Sequence, residues 1–158
     1  RFLRCWAPMT LVPHYDASPA LAVPAGWREW ARLPQIAGRR LRAKLDTGAR
    51  TSALGASDIH VEAEQVSFRV AGAAGQPLLT LPLVDQRWVT DTGGRRELRP
   101  VVRTRLELGG AAWDIELTLT ARDGLKHRLL LGRSALAGRF LVDPATSYRL
   151  QGRDQESV

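Results

Sequence analysis

Apolar residues recur in this chain with a period of two rather than three to four. In 39–46, Leu41, Ala43 and Leu45 alternate with charged partners. In 58–70, Ile59, Val61 and Ala63 alternate, the parity shifts at Glu64–Gln65, and Val66, Phe68 and Val70 continue. Such spacing sends one set of side chains to one face of a strand. The parity shift predicts a bulge or bend. GWREWARLPQI (26–36) reads as a first edge strand, with Trp27 and Trp30 as candidates to cover the core, and Gly38 as a turn. Segment 71–77 reads as a loop and 78–84 as an apolar strand interrupted by Pro82. Residues 86–108 read as two strands around Gly93–Gly94, and 105–120 as a hairpin around Gly109–Gly110. Only 133–137 offers a helical turn, before a last strand into Pro144. Short strands cut by glycine turns, with almost no helix, predict an all-β barrel or sandwich.

A chain of 158 residues is one domain by size, with room for a real core. Pro8, Pro13, Pro19 and Pro24 make 1–25 an expected irregular arm. The domain is expected at 26–150, followed by a polar tail at 151–158. Met9 is a candidate natural start, with 1–8 upstream of it. The single cysteine, Cys5, rules out an intramolecular disulfide and suits a reducing, cytoplasmic setting. No run approaches the ~18 apolar residues of a membrane span, and the opening residues lack the continuous apolar stretch of a signal peptide. The net charge of +7 raises the question of nucleic acid. Arg87, Arg95, Arg96, Arg99, Arg103 and Arg105 meet only Asp91 and Glu97 in their segment. No RNA-binding aromatic signature or helix-turn-helix pattern accompanies them, so they read as a solvated strand face.

Asp-Thr-Gly occurs twice, at Asp46 and at Asp91. A carboxylate used in peptide hydrolysis needs a tight loop between strands. An apolar strand leads in, small residues follow, and the glycine lets backbone approach the reacting centre. Asp46 fits: LRAKL precedes it, and Ala49, Thr51, Ser52 and Ala53 follow. Asp91 is preceded by Thr90 and followed by GGRRE, which is the chemistry of an exposed hairpin tip. The interval between them is too short for a duplicated β lobe. One such Asp per chain is therefore expected, and a two-carboxylate site requires a symmetric dimer.

The order of Asp46-Thr47-Gly48, a hairpin, and LLLGRSAL (129–136) resembles that of retropepsins, the viral-type dimeric aspartic peptidases. GWREWARLPQI, AKLDTGARTSAL, LVDQRWVTDTGGRRELRPVVRT, WDIELTLTARD and LLLGRSALAGRFLVDP together are similar to the bacterial retropepsin-like proteins labelled ATP-dependent zinc proteases, across 26–148. The resemblance implies a closed retropepsin-like β barrel with one short helix. It implies Asp46, Thr47 and Gly48 as the catalytic loop, supported by Ala49, Gly132 and Arg133. Residues 86–97 take the flap position, with Trp88, Val89, Gly93 and Gly94 as candidates. It also implies a link to the ATP-grasp ligase that adds glutamates to ribosomal protein. Viral members pair the late arginine with acids after the loop. Here Arg50 stands in that region, so Arg133 pairs with another acid, with Asp58, Asp123 and Asp143 as candidates, or with none.

The label's cofactors find no support in the residues. There is no glycine-rich phosphate loop and no His-Glu-x-x-His, and His14, His60 and His127 lie far apart. No cofactor and no metal are expected. The leading expectation is an aspartic endopeptidase, acting on a peptide or protein substrate through an Asp46 dyad across a homodimer. The alternative is a catalytically silent module that binds or regulates the ligase or a ribosomal protein, its basic hairpin suited to a polyglutamate-bearing partner. Direct RNA binding has only charge behind it.

Overall fold

The structure, a computed structural model, describes residues 21–72, 75–121 and 126–151. Cys5, Met9, His14, Asp123 and the tail from 152 lie outside the described residues. Among those described, the strands are β1 (Val23–Gly26), β2 (Arg28–Ala31), β3 (Leu41–Leu45), β4 (Ser52–Glu62), β5 (Gln65–Val70), β6 (Leu79–Pro82), β7 (Asp85–Thr90), β8 (Arg96–Leu108), β9 (Ala111–Thr120), β10 (Leu129–Leu131) and β11 (Phe140–Asp143). One helical turn, α1 (Arg133–Leu136), precedes β11. The fold is all-β. None of these elements is a helix long and apolar enough to cross a membrane.

The main sheet runs β2-β3-β10-β4-β9-β8-β7, and β5 and β6 continue from β4. β1 and β11 form a separate parallel pair, so the segment expected as irregular arm carries a strand from Val23 onward. The expected closed barrel is not formed. Among the described residues, the β2 end of the sheet is joined to β8 by no ladder, only by the isolated Arg32–Glu107 bridge just past β2, with N···O distances of 3.0 and 2.9 Å. Pro34 explains why no ladder follows: it has no N–H to donate, and the chain turns at once.

The alternation seen in the sequence sorts side chains as expected. Leu41, Ala43 and Leu45 are buried on β3, and Val66, Phe68 and Val70 on β5. They join Leu54, Leu117, Leu119, Leu129 and Leu131 in one core. Burying each leucine, valine or phenylalanine of this core stabilises the fold by about 1.5–3 kcal/mol. The parity shift read at Glu64–Gln65 falls at a hairpin turn, residues 63–64, between β4 and β5. The bulge lies earlier, between Ser57 and His60, where Asp58 takes φ 51°. Trp27 and Trp30 do not cover the core. Both are half-buried: Trp27 lies between β1 and β2, and Trp30 on β2 stacks on Tyr148 at 5.6 Å.

Glu29, between them, is fully buried. Its Oε1 accepts N–H bonds from Gly26 (2.7 Å), Arg149 (2.8 Å) and Leu150 (3.3 Å), and Oε2 accepts from Leu150 (3.2 Å). One carboxylate thereby ties the C-terminal segment to β2. Buried charge is tolerated where donors surround it in this way.

Candidate active site

β3 delivers Asp46 to the sheet's end. The Asp46 N–H donates to the Leu131 carbonyl at 2.8 Å, which pins the loop to β10. Oδ1 of Asp46 accepts the Gly48 N–H at 3.1 Å, and the Asp46 carbonyl accepts the Ala49 N–H at 3.2 Å. The Asp-Thr-Gly turn is thus closed on itself, with the carboxylate at its mouth and a quarter exposed (25%).

The late element clamps this loop from behind. N–H groups of Arg133 and Ser134 donate to the carbonyls of Ala49 (2.8 Å) and Arg50 (3.0 Å). The Gly132 N–H donates to Oγ of Ser52 (3.1 Å), which is fully buried. Thr118 Oγ1 in turn donates to the Ser52 carbonyl at 3.0 Å. Nη1 of Arg133 donates to the Thr47 carbonyl at 3.0 Å. None of the three acids considered for Arg133 is seen to pair with it. Asp58 bonds Arg69 (3.0 Å), Asp143 bonds Arg149 (3.2 Å), and Asp123 is outside the described residues. The Thr47 side chain is exposed, and among the described residues its hydroxyl makes no hydrogen bond. The loop is held through the Thr47 carbonyl.

The β7–β8 hairpin faces the loop across a cleft of about 1210 Å³. Trp88 and Val89 line it, as do both aspartates. Asp91 organises the hairpin tip: its Oδ1 accepts N–H bonds from Gly93 and Arg95, both at 2.9 Å, and Gly94 takes φ 81°. Trp88 is exposed on β7, with the Arg96 guanidinium 4.7 Å from its ring centre.

The cleft is rich in cations. Lys44 Nζ lies 3.6 Å from Oδ2 of Asp46. Arg50 and Lys126 line the cleft with no acid partner among the described residues. Arg87 sits between Glu116 (2.6 Å) and Asp85 (2.8 Å). Its pKa is raised by the bond to Glu116 first and to Asp85 second. The Asp85 carboxyl is lowered by Arg87, then by the Gln86 N–H. His127 is buried edge-on to Trp27, with ring centres 5.6 Å apart. Burial, followed by Lys126, Arg28, Lys44 and Arg42, pushes its pKa below the ordinary value. Among the described residues, no three His, Cys, Asp or Glu side chains converge to hold a metal ion.

Lys44, Glu116 and His127 were not singled out from the sequence as parts of this site, and Ser52 was noted only as one of the small residues after the loop. Lys44 was within reach, because period two puts positions 44 and 46 on the same side of β3. Glu116 arrives from β9 and His127 from the segment before β10, and neither left a local signal.

The family described as "RimB-like: Retropepsin-like aspartic endopeptidase RimB" matches residues 24–153. A protein of Parasynechococcus marenigrum named "Probable alpha-L-glutamate ligase" is 40% identical over 141 residues, covering 84% of this chain and 30% of that protein. One of the same name from Shewanella pealeana is 38% identical over 133 residues, covering 79% and 29%. The chain thus spans about 30% of the length of the curated relatives it matches. A crystal structure from Legionella pneumophila, of a protein described as having unknown function (DUF785), superposes with a TM-score of 0.67 at 30% identity, covering 81% of this chain and 98% of that one.

Proposed function

The chain belongs to the RimB-like family of retropepsin-like aspartic endopeptidases, and from that premise we propose that it hydrolyses peptide bonds with a pair of Asp46 carboxylates across a homodimer. One observation carries the reading. The Asp46 loop is fixed by main-chain bonds from Arg133 and Ser134, and its carboxylate opens on a cleft large enough for a peptide. A single Asp46 cannot be both base and acid. Two facing across a twofold axis share one proton, because like charges at that range cannot both ionise cheaply. The ionised partner takes a proton from water, which attacks the carbonyl that the protonated partner polarises. The β7–β8 hairpin closes over the substrate, with Trp88, Val89, Gly93 and Gly94 in the flap.

Lys44, Arg50 and Lys126 suit an acidic peptide. The relatives' name, glutamate ligase, points the same way. We place the protein beside such a ligase in the cytoplasm, acting on a glutamate-bearing ribosomal protein. A second reading, a silent module that binds the same partner, is favoured by the Lys44–Asp46 pair, which neutralises the carboxylate within one chain. Acidic peptides incubated with the native protein and with Asp46→Asn separate the two. Cleavage by the native protein alone supports the peptidase. Binding without cleavage by either supports the module.

A further inference from the structure

Beside the cleft, on the outer side of β2, β3 and β10, lies a second depression of about 490 Å³. Arg39, Arg40, Arg42, Lys126 and Arg128 surround it, with the indole of Trp30. Among the described residues none of these cations pairs with an acid. Arg128 spends one N–H on the Gly72 carbonyl. Arg40 and Arg42 stand 5.7 and 6.0 Å from the centre of the Trp30 ring. Like charges gathered in one concavity repel each other and raise the local concentration of anions. A basic strand face is commonly only a solvated one, so charge alone decides nothing.

Continuity with the cleft decides it. Lys126 lines both depressions. On β3 and its flanks, Arg40, Arg42, Lys44 and Asp46 alternate with the buried Leu41, Ala43 and Leu45, so the cations form a row that ends at Asp46. Same-side positions on a strand recur at about 6.5 Å. An extended peptide has the same repeat, so alternate carboxylates of an acidic chain match the row in spacing and in sign. From Asp46 to Arg40 the row covers about 20 Å, the reach of about six extended residues.

Building on the peptidase reading above, we infer that this groove is an exosite. It holds the acidic run of a peptide whose scissile bond lies at Asp46, about six residues away. Trp30 holds Arg40 and Arg42 in place as cation–π partners, so less side-chain freedom is lost when carboxylates bind. An RNA backbone shares the sign of charge. It has no reason to follow a row leading into a cleft shaped around a peptidase-like loop.

The test measures binding without turnover. Asp46→Asn protein is titrated against fluorescein-labelled decaglutamate and tetraglutamate, with and without Arg40→Glu/Arg42→Glu. Decaglutamate is expected to bind about tenfold more weakly to the charge-reversed protein, as two exposed charge pairs become repulsions. Tetraglutamate, about 13 Å long when extended, covers only part of the row and is expected to lose less affinity on reversal than decaglutamate does. If reversal disturbs folding, as judged by the unfolding midpoint, Arg40→Gln/Arg42→Gln replaces it with a smaller expected loss. Equal decaglutamate affinity in the two proteins overturns the exosite. So does an unchanged peptide affinity accompanied by lost binding of a single-stranded RNA oligonucleotide. If wild-type protein cleaves nothing, yet reversal still weakens decaglutamate more than tetraglutamate, the catalytic reading fails and the acid-binding groove stands.

Discussion

A methyl group on Gly132 would lie 2.6 Å from both the carbonyl carbon and the carbonyl oxygen of Thr51. Real side chains essentially never come so near to backbone. The glycine is therefore the condition for packing the late element against the loop, and for the bonds from Arg133 and Ser134 that follow it. Gly132→Ala should cost about 1–3 kcal/mol, as overpacking of a close interior contact does. It should also remove peptidase activity, because the Ala49 and Arg50 carbonyls lose their donors. Urea unfolding together with a cleavage assay reads both effects. Full activity in a stable Gly132→Ala protein contradicts the clamp.

Asp91 should behave unlike Asp46. Its Oδ1 closes the hairpin tip through the Gly93 and Arg95 amides, and an asparagine oxygen can accept the same bonds. Asp91→Asn should leave kcat within about twofold, whereas Asp46→Asn should lower it on the order of 100-fold or more, the loss of a general acid–base group. Equal losses from the two variants, both folded, would show that the wrong aspartate had been assigned.

Glu29 carries a prediction about stability. Its removal leaves the Gly26, Arg149 and Leu150 amides without their acceptor. Each unsatisfied buried donor costs about 1–3 kcal/mol, so Glu29→Ala should destabilise by about 3 kcal/mol or more. Glu29→Gln keeps an acceptor oxygen and should cost less. Denaturant titration of the two variants tests the order, and a milder effect for alanine would refute it.

His127 gives the fold a pH dependence of definite sign. Its folded pKa lies below the ordinary 6.5, through burial and then the Lys126, Arg28, Lys44 and Arg42 charges. Above 6.5 the side chain is neutral in both states and its contribution is intact. As the pH falls below that value, the unfolded chain takes up a proton that the folded chain resists, so stability declines until the folded pKa is passed. His127→Phe keeps an aromatic edge against Trp27 and removes the proton. The unfolding free energy of wild type minus that of His127→Phe should therefore fall on acidification through the mid-sixes. A flat difference refutes the assignment.

Strand periodicity was legible because each strand buries one face, and period two follows from that alone. The loop at Asp46 and its support at Gly132–Arg133 were legible as short local patterns. Closure of the sheet was not. It depends on how far β2 runs before Pro34, and the ladder fails there for want of a few residues. The sequence left open whether Arg133 finds an acid, and it takes the Thr47 carbonyl. Charge pairing is set by distance in space, which sequence order does not carry. Glu29 fell within a segment read as an edge strand and drew no notice. Its burial depends on amides more than a hundred positions away, at Arg149 and Leu150.

Activity should fall on dilution. Each chain supplies one Asp46 on a clamped loop, and the remaining cleft acids are engaged in bonds of their own: Glu116 with Arg87, and Asp91 with its tip amides. Lys44 holds Asp46 as an ion pair within the single chain. On the proposed mechanism a second Asp46 supplies the missing acid only when two chains meet, so specific activity should track the dimer fraction as protein concentration is lowered. The rate should also rise and then fall with pH, as the singly protonated pair forms and is lost, and the two apparent values belong to the pair. Sedimentation and peptide cleavage measured on the same dilution series test this. A protein that sediments as a monomer throughout and cleaves at a constant specific rate has no shared dyad. Its acid would then have to come from within the chain, where Asp91 and Glu116 are the carboxylic acids lining the same cleft among the described residues.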